Sequence, residues 1–460
     1  MLFNSIEYIL FLPLVVALYW GLTAYGRRRL ILLSSYVFYW TWSVPFSGLL
    51  ALSTVIDYYS ALYISRHQDK KKRKLGLLFS LICNLGILCT FKYLDFFSDV
   101  TYSIFGEPLW PKLYLALPLG ISFYTLQTMS YTIDVYRGTT KAKESILDVA
   151  LYVSFFPQLI AGPIVRSNEL IHQLDCKKDP RPCEARNGLG LIMWGLLKKV
   201  YIADPMAYVV NEVFGMHGEY SSFSILLATY AFGVQIYCDF SAYSDIAIGS
   251  AKLLGIKLPM NFNKPLLAHS VREFWKRWHL TLSAWLRDYV YVPLGGNKKG
   301  EFRAYANIMT TMLIGGLWHG AAMNWVVWGG LHGTLISVER FFNVNTDQSQ
   351  SPLYKRLFMW ICTFHFLSLS WFLVKGNNLA HAYALLKRLL EFDTSGLSIG
   401  FAPLYVLTLL LLTEKLRVKT LFLGWFEEKK SGRWLAYGIY VLFVLTFCKS
   451  SSPEFFYFQF

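Results

Sequence analysis

The run Gly315-Gly316-Leu317-Trp318-His319-Gly320 sets a histidine into an otherwise apolar stretch that begins after Arg303. Counting 16 residues from Arg303 at about 1.5 Å each puts His319 roughly 24 Å along a helix, at or beyond the middle of a hydrocarbon layer about 30 Å thick. An ionisable group at that depth is costly and usually has a function. An imidazole, with an ordinary pKa of about 6.5, can take a proton from a hydroxyl at neutral pH and make it a nucleophile. The structural alternative is a neutral imidazole hydrogen-bonding between helices. Gly315, Gly316, Gly320, Ala321 and Ala322 remove bulk around it, which lets backbones approach closely or opens a cavity. A metal site is not expected. His332 stands 13 residues on, about 220° round the helix, and neither histidine has a Cys or carboxylate beside it. His365 and His381 stand alone and read as structural.

A second set of polar groups lies in residues 272–289. At about 100° per residue, Arg272, Lys276, His279, Ser283 and Arg287 form one stripe of a helix, with Phe274, Trp275, Trp278, Leu282, Trp285, Leu286 and Tyr289 opposite. Such a helix lies along a membrane interface. Its polar stripe either anchors to anionic lipid or offers a cationic ledge to an anionic substrate, with Pro293-Leu294-Gly295-Gly296 ending it; spacing does not choose. Asp239 and Asp245 fall about 240° apart on a helix, which argues against a shared acid/base pair. They either pair with the arginines of the interfacial helix or meet substrate.

The elements that must position these groups follow from composition. Of 460 residues 55% are hydrophobic, 17% aromatic and 16% charged, against about 25% charged in ordinary soluble domains. Disorder and a coiled-coil rod are excluded, and an all-α polytopic membrane protein remains. The formal net charge of +15 is assigned to cytoplasmic loops and anionic lipid, with no nucleic-acid partner. Seven cysteines include no C-x-x-C pair; Cys83, Cys89, Cys238, Cys362 and Cys448 fall in apolar stretches, and His172, Cys176 and Cys183 make too thin a case for zinc. The first residues lack the marks of a cleaved signal, so the first apolar stretch is expected to stay as a span.

Stretches long and apolar enough to span are 6–25, 30–46, 47–65, 75–94, 113–135, 188–206, 222–238, 304–322, 323–341, 354–374, 399–414 and 433–448. They predict about 11–13 membrane helices in one domain over 1–460. Arg27-Arg28-Arg29 and Lys70-Lys71-Lys72-Arg73-Lys74 flank successive spans and are placed in the cytoplasm, with the N-terminus outside. Residues 95–110 and 205–221 read as external. Segment 148–165 is apolar but bounded by basic residues on both sides and broken by Phe156-Pro157 and Gly162-Pro163, so it is expected to be re-entrant. Residues 239–303 carry ten Lys and Arg, and form a cytoplasmic re-entrant and interfacial region.

Several long motifs in order resemble the membrane-bound O-acyltransferase family, and within it the bacterial alginate O-acetyltransferase branch. They are Asp239-Phe240-Ser241-Ala242-Tyr243-Ser244-Asp245, the run from Arg272 to His279 continuing through Trp285-Leu286-Arg287-Asp288-Tyr289 to Gly296, and Gly316-Leu317-Trp318-His319-Gly320. Supporting matches are Ser122–Gln127 through Asp134–Gly138 and Phe156–Pro163. The resemblance covers most of the chain and is strongest from 239 to 333; Ala242 stands where the branch usually has Gly. It implies a helical core with re-entrant and interfacial helices around a central tunnel. It also implies a membrane-embedded catalytic histidine, here His319, and a second characteristic histidine nearer the cytosol, here His279. Asp239, Lys276, Arg277, Trp278, Arg287, Asp288 and Trp318 fall in the matching motifs and are expected to line the path of substrate or donor. No bound cofactor is implied. The implied donor is a cytoplasmic acetyl thioester, acetyl-CoA. The implied partners are a soluble periplasmic SGNH-type acetyltransferase, a polysaccharide synthesis and export complex, and membrane lipid, for a multi-pass protein of the bacterial inner membrane. A related branch transfers D-alanine to teichoic acids and shares the two histidines; the Val292-Pro293-Leu294-Gly295-Gly296 ending favours acetylation.

The tail Ser452-Pro453-Glu454-Phe455-Phe456-Tyr457-Phe458-Gln459-Phe460 resembles an aromatic C-terminal signature of cell-surface acyl-transfer systems, in which the Tyr, here Tyr457, is a proposed acyl relay. The alternative is an aromatic interfacial anchor. Two other classes stay in play: a transporter or flippase for a polysaccharide precursor, against which stands the lack of a detectable internal repeat, and a scaffold that would tolerate loss of both histidines.

Overall fold

The structure, a computed structural model, describes residues 1, 3–177, 179, 181–345, 351–428, 438 and 455. The chain divides into two compact units. Met1–Met193 with Tyr243–Pro259 belong to one, and Trp194–Ala242 with the described residues from Met260 onward belong to the other. Among the described residues the regular structure is helical, apart from one isolated bridge between Tyr220 and Leu397.

In the first unit, α1 (Ile6–Gly21) and α2 (Ala24–Trp40) are joined by the extended residues Leu22 and Thr23. The joint comes earlier than hydrophobicity predicts, so Arg27, Arg28 and Arg29 lie inside α2 rather than in a loop. Their charge is absorbed by the fold: buried Arg27 donates from Nε to the Tyr19 carbonyl at 3.1 Å and lies 2.8 Å from Asp179, while Arg28 pairs with Asp148.

Next come α3 (Val44–Arg66), then α4 (Lys70–Leu88), which passes through a π-helical turn into α5 (Leu94–Phe105), and α6 (Ile121–Arg137). Helices α3, α4 and α6 close on a buried carboxylate. Asp57 accepts from Ser80, from Asn84 Nδ2 at 3.0 and 3.1 Å, and from Thr132 Oγ1 at 2.8 Å. Side-chain donors from neighbouring helices replace water around the charge, which is how polar groups are held in an apolar interior. The expected span 113–135 starts late, at Ile121, because Pro118 and Gly120 precede it; Gly120 has φ +75°, and a Cβ there would stand 2.7 Å from the Leu159 carbonyl oxygen.

The segment expected to be re-entrant is a short helix, α7 (Ile146–Ser154), followed by irregular backbone to Arg166 and a single turn, α8 (Ser167–Leu170). Residues 151–165 are buried throughout. Irregular backbone at depth needs internal partners. It has them: Gln127 Nε2 donates to the Tyr152 carbonyl at 2.6 Å, Tyr152 Oη to the Val165 carbonyl at 2.9 Å, and the Phe156 amide to Ser35 Oγ at 3.1 Å.

Helix α9 (Pro182–Leu197) runs through a π-helical turn, Lys198–Ala203, into α10 (Asp204–Gly215), and α11 (Ser222–Leu253) is 32 residues long. The apolar run expected to stop at 238 therefore continues as helix through Asp239 and Asp245. The second unit continues with α12 (Val271–Trp275), α13 (Leu280–Leu286), α14 (Glu301–His319), α15 (Met323–Phe341), α16 (Leu353–Lys375), α17 (Leu379–Leu390), α18 (Ala402–Lys415) and α19 (Val418–Glu428). Gly233 of α11 admits α16: a Cβ there would fall 2.0 Å from the Trp371 ring. Among the described residues three helical stretches are long and apolar enough to cross a membrane: Lys70–Phe105, Ser222–Leu253 and Leu353–Lys375. The expected span 433–448, apart from Gly438, lies outside the described residues.

Candidate active site

Helix α14 ends at His319 because Gly320 turns extended, at φ −153° and ψ 142°, and α15 starts three residues later at Met323. The imidazole thus stands at a helix end. Glycines let the hairpin close. A Cβ at Gly316 would meet the Trp325 carbonyl oxygen at 2.3 Å, one at Gly320 the Trp325 ring at 2.1 Å, and one at Gly329 the Met312 carbonyl oxygen at 2.4 Å. The freed space goes to tryptophan. The Trp325 ring stacks on His319, with centroids 5.4 Å and planes 20° apart, while Trp328 and Trp318 meet the imidazole edge-on at 5.6 and 4.9 Å.

His279 comes to the same place from a different element. The expected continuous helix over 272–289 does not form: α12 stops at Trp275, Lys276–Trp278 turn, and His279 takes a left-handed backbone, φ +45° and ψ 52°, before α13 begins. The break removes His279 from the cationic stripe and buries it completely. Backbone bonds fix the turn, since the Leu280 amide donates to the Asn261 carbonyl at 2.9 Å and the Asn263 amide to the Arg277 carbonyl at 2.9 Å. A left-handed residue other than Gly or Asn is strained, and such strain collects at functional sites. Burial pushes the His279 imidazole down to about 3, so it is neutral near pH 7.

The two imidazole centroids lie 6.2 Å apart, with Trp318 5.9 Å from His279 and the Phe240 ring 4.7 Å from it. A cavity of about 200 Å³ is lined by His319 with Trp275, Leu282, Leu286, Met312, Gly315 and Trp328, and by Ser283, Arg287, Tyr291 and Thr311 as further polar groups. Gly315 opens the cavity; Gly316 and Gly320 admit the neighbouring backbone and Trp325.

The other expected site residues disperse. Trp318 and His279 join His319. Trp278 is buried, stacked on Phe274 at 5.3 Å. Arg277 pairs with Glu273 at 2.5 Å and Lys276 is exposed. Arg287 lines the cavity and pairs with Asp288 at 2.7 Å. Asp239 meets a lysine: Lys199 Nζ lies 2.8 Å from both Asp239 and Asp204, and 4.3 Å from the Phe455 ring centre. Asp245 is buried in the first unit, and Tyr457 lies outside the described residues. Trp325, Trp328 and Lys199 are what sequence reasoning misses. Lys199 carried a signal, being a charge inside an expected span; the tryptophans read as ordinary apolar residues of one.

Membrane-length helices, and a buried histidine pair of which His319 lines an apolar cavity, describe a membrane protein with a polar site in its apolar interior. The membrane-bound O-acyltransferase family matches residues 34–374, and the chain belongs to that family. It is 38% identical over 403 residues to a Pseudomonas aeruginosa protein named "Probable alginate O-acetylase AlgI", covering 86% of this chain and 76% of the relative. It is also 38% identical over 419 residues to the Helicobacter pylori peptidoglycan O-acetyltransferase, covering 84% and 79%. A more distant relative, the Bacillus subtilis teichoic acid D-alanyltransferase, is 27% identical over 304 residues, 60% of this chain and 76% of its own. The protein is an enzyme, a membrane O-acyltransferase of the O-acetylating kind.

Proposed function

We propose that the protein moves acetyl groups from a cytoplasmic thioester, acetyl-CoA, across the bacterial inner membrane for O-acetylation of an exported alginate-like polysaccharide. The observation that carries the proposal is His319 lining the cavity with the ring centre of buried His279 6.2 Å from its own. The acyl end of the donor enters past Ser283, Arg287 and Tyr291. His319 takes the proton of the acceptor hydroxyl, whose oxygen attacks the thioester carbonyl carbon. The new C–O bond replaces the C–S bond, and the leaving thiolate takes the proton back from the imidazolium. His279, neutral through burial, donates or accepts a hydrogen bond at the reacting group without bringing charge.

Tyr457 is proposed as the acceptor that carries the acetyl group outward as an aryl ester to a periplasmic SGNH-type partner, within a polysaccharide synthesis and export complex. The relatives of higher identity support acetyl as the group; the acceptor glycan differs between them. The deciding experiment is glycan ester analysis of a deletion strain complemented with wild type or His319→Ala. Loss of acetyl esters at an unchanged protein level is expected, and normal acetylation in the variant overturns the mechanism. Release of alanyl rather than acetyl hydroxamate by hydroxylamine would move the protein to the D-alanyl branch.

A further inference from the structure

Helix α15 carries two polar side chains that the transfer chemistry does not use, His332 and Glu339, both buried. The Glu339 carboxylate accepts the backbone N–H of Val271 at 2.6 Å and of Arg272 at 2.9 Å, which are the first two residues of α12. At the other end of α12, the Trp275 indole N–H donates to His332 Nδ1 at 3.2 Å. His332 Nε2 lies 3.2 Å from Ser370 Oγ, which itself donates to the Leu367 carbonyl at 2.7 Å. The chain of bonds has one direction: Trp275 into Nδ1, Nε2–H into Ser370, Ser370 into backbone. It fixes the tautomer and leaves α15 holding α12 at both ends.

A five-residue helix does not hold its own shape, since isolated helices shorter than about 12 residues are marginal in water. Its placement must come from what grips it. Four residues beyond Trp275 stands His279. On the same helix α15, Trp325 and Trp328 pack against His319. The four positions 325, 328, 332 and 339 are spaced 3, 4 and 7 apart, and at about 100° per residue they fall within about 60° of one another. One face of α15 therefore touches the surroundings of both histidines.

We propose that His332 and Glu339 are positioning residues, a two-point latch through which α15 sets His279 against His319. The proposal rests on the reading of those histidines as the reacting pair. The latch is needed because His279 lies in a strained turn between two short helices, whereas His319 closes a 19-residue helix with its own packing.

The test uses the full chain in nanodiscs, with acetyl-CoA as the probe and two readouts. Kinetic constants are measured for wild type, Glu339→Gln, His332→Leu and His332→Gln; Gln can offer Trp275 an acceptor and Ser370 a donor. Hydrogen exchange is followed over residues 268–281. Glu339→Gln and His332→Leu are expected to lower kcat by about tenfold or more with KM for acetyl-CoA within about twofold, since small misplacements cost rate rather than affinity. His332→Gln is expected to stay within about threefold of wild type, and exchange over 268–281 to quicken in the first two variants but not in α14. Full activity in both of those variants, equal loss in His332→Gln and His332→Leu, or unchanged exchange overturns the latch. A wild-type protein that never turns over acetyl-CoA counts against the proposed function instead, and the exchange arm then decides the latch alone.

Discussion

The Trp325 ring lies along the His319 imidazole with planes 20° apart, and a Cβ on Gly320 would fall 2.1 Å from that indole. The flat indole holds the plane of the imidazole, and the missing Cβ is what admits it. Gly320→Ala is therefore expected to displace Trp325, and Trp325→Leu to leave His319 without its stacking surface. Each should lower acyl transfer by about tenfold or more, the scale on which small misplacements act. Trp325→Phe, which keeps a ring, should retain more activity than Trp325→Leu. Equal rates in the two Trp325 variants would remove the stack from the account.

His279 links burial to acid stability. Its folded pKa is pushed from about 6.5 down to about 3, so below pH 6.5 the unfolded chain takes up a proton that the folded chain refuses. Stability from this group is complete above pH 6.5 and falls towards pH 3, by up to about tenfold in the folding equilibrium per pH unit. Melting temperatures at pH 7 and pH 5 should drop less in His279→Asn than in wild type. Asn also tolerates the left-handed backbone that costs His279 on the order of 1 kcal/mol. An equal drop in both proteins would show that another group carries the acid sensitivity.

Legibility in the sequence follows the kind of signal each element leaves. The run 323–341 coincides with α15 and 354–374 falls one residue inside α16 at each end, because apolar residues bounded by polar ones report a helix directly. The wheel over 272–289 fails for a definite reason: neither Gly nor Pro marks the turn at Lys276–Trp278, and the left-handed residue is a histidine. Periodicity cannot see a break that tertiary contacts impose. The two histidines are legible by type and motif, whereas their partners are not. His332 reads only as a poor metal ligand, although its spacing from Trp325 and Trp328 places all three on one stripe.

Lys199 is 2% exposed and lies between two carboxylates. Removing one partner of a buried ion pair strands the other charge, which costs about 3–5 kcal/mol. Lys199→Met should cut the yield of folded protein sharply. Lys199→Met combined with Asp204→Asn and Asp239→Asn should recover part of it, because the two carboxylates that Lys199 neutralised lose their charge with it. Yield from detergent and melting temperature read this directly. A triple variant no better than the single one would mean that the charges matter through something other than each other.

Asp57 makes the opposite case, a buried carboxylate held by uncharged donors. Asp57→Leu leaves the Ser80, Asn84 and Thr132 donors without their acceptor and should cost on the order of 3 kcal/mol. Asp57→Asn keeps one acceptor oxygen and should cost less. Since α3, α4 and α6 meet on this carboxylate, the loss should appear as faster hydrogen exchange in all three. Change confined to α3 would contradict the shared role.

Gly315 lines the cavity, and among the described residues its Cβ direction is blocked only by the Leu286 Cδ1 methyl at 3.2 Å, the flexible end of a side chain. Adding volume here fills space rather than breaking the hairpin, unlike at Gly316, where a backbone carbonyl stands 2.3 Å away. If the acyl end of the donor occupies the cavity, Gly315→Val should lower kcat/KM for acetyl-CoA by about tenfold, while Gly315→Ala should spare acetyl-CoA and penalise propionyl-CoA, the donor one methylene longer, worth up to about 3 kcal/mol in a filled pocket. Gly316→Ala should instead reduce folded yield and affect both donors alike. Competition between the two thioesters in one vesicle preparation measures the ratio without correcting for protein amount. A Gly315→Ala protein with the wild-type ratio would place the acyl group outside this cavity and leave His319 to be reached by another route.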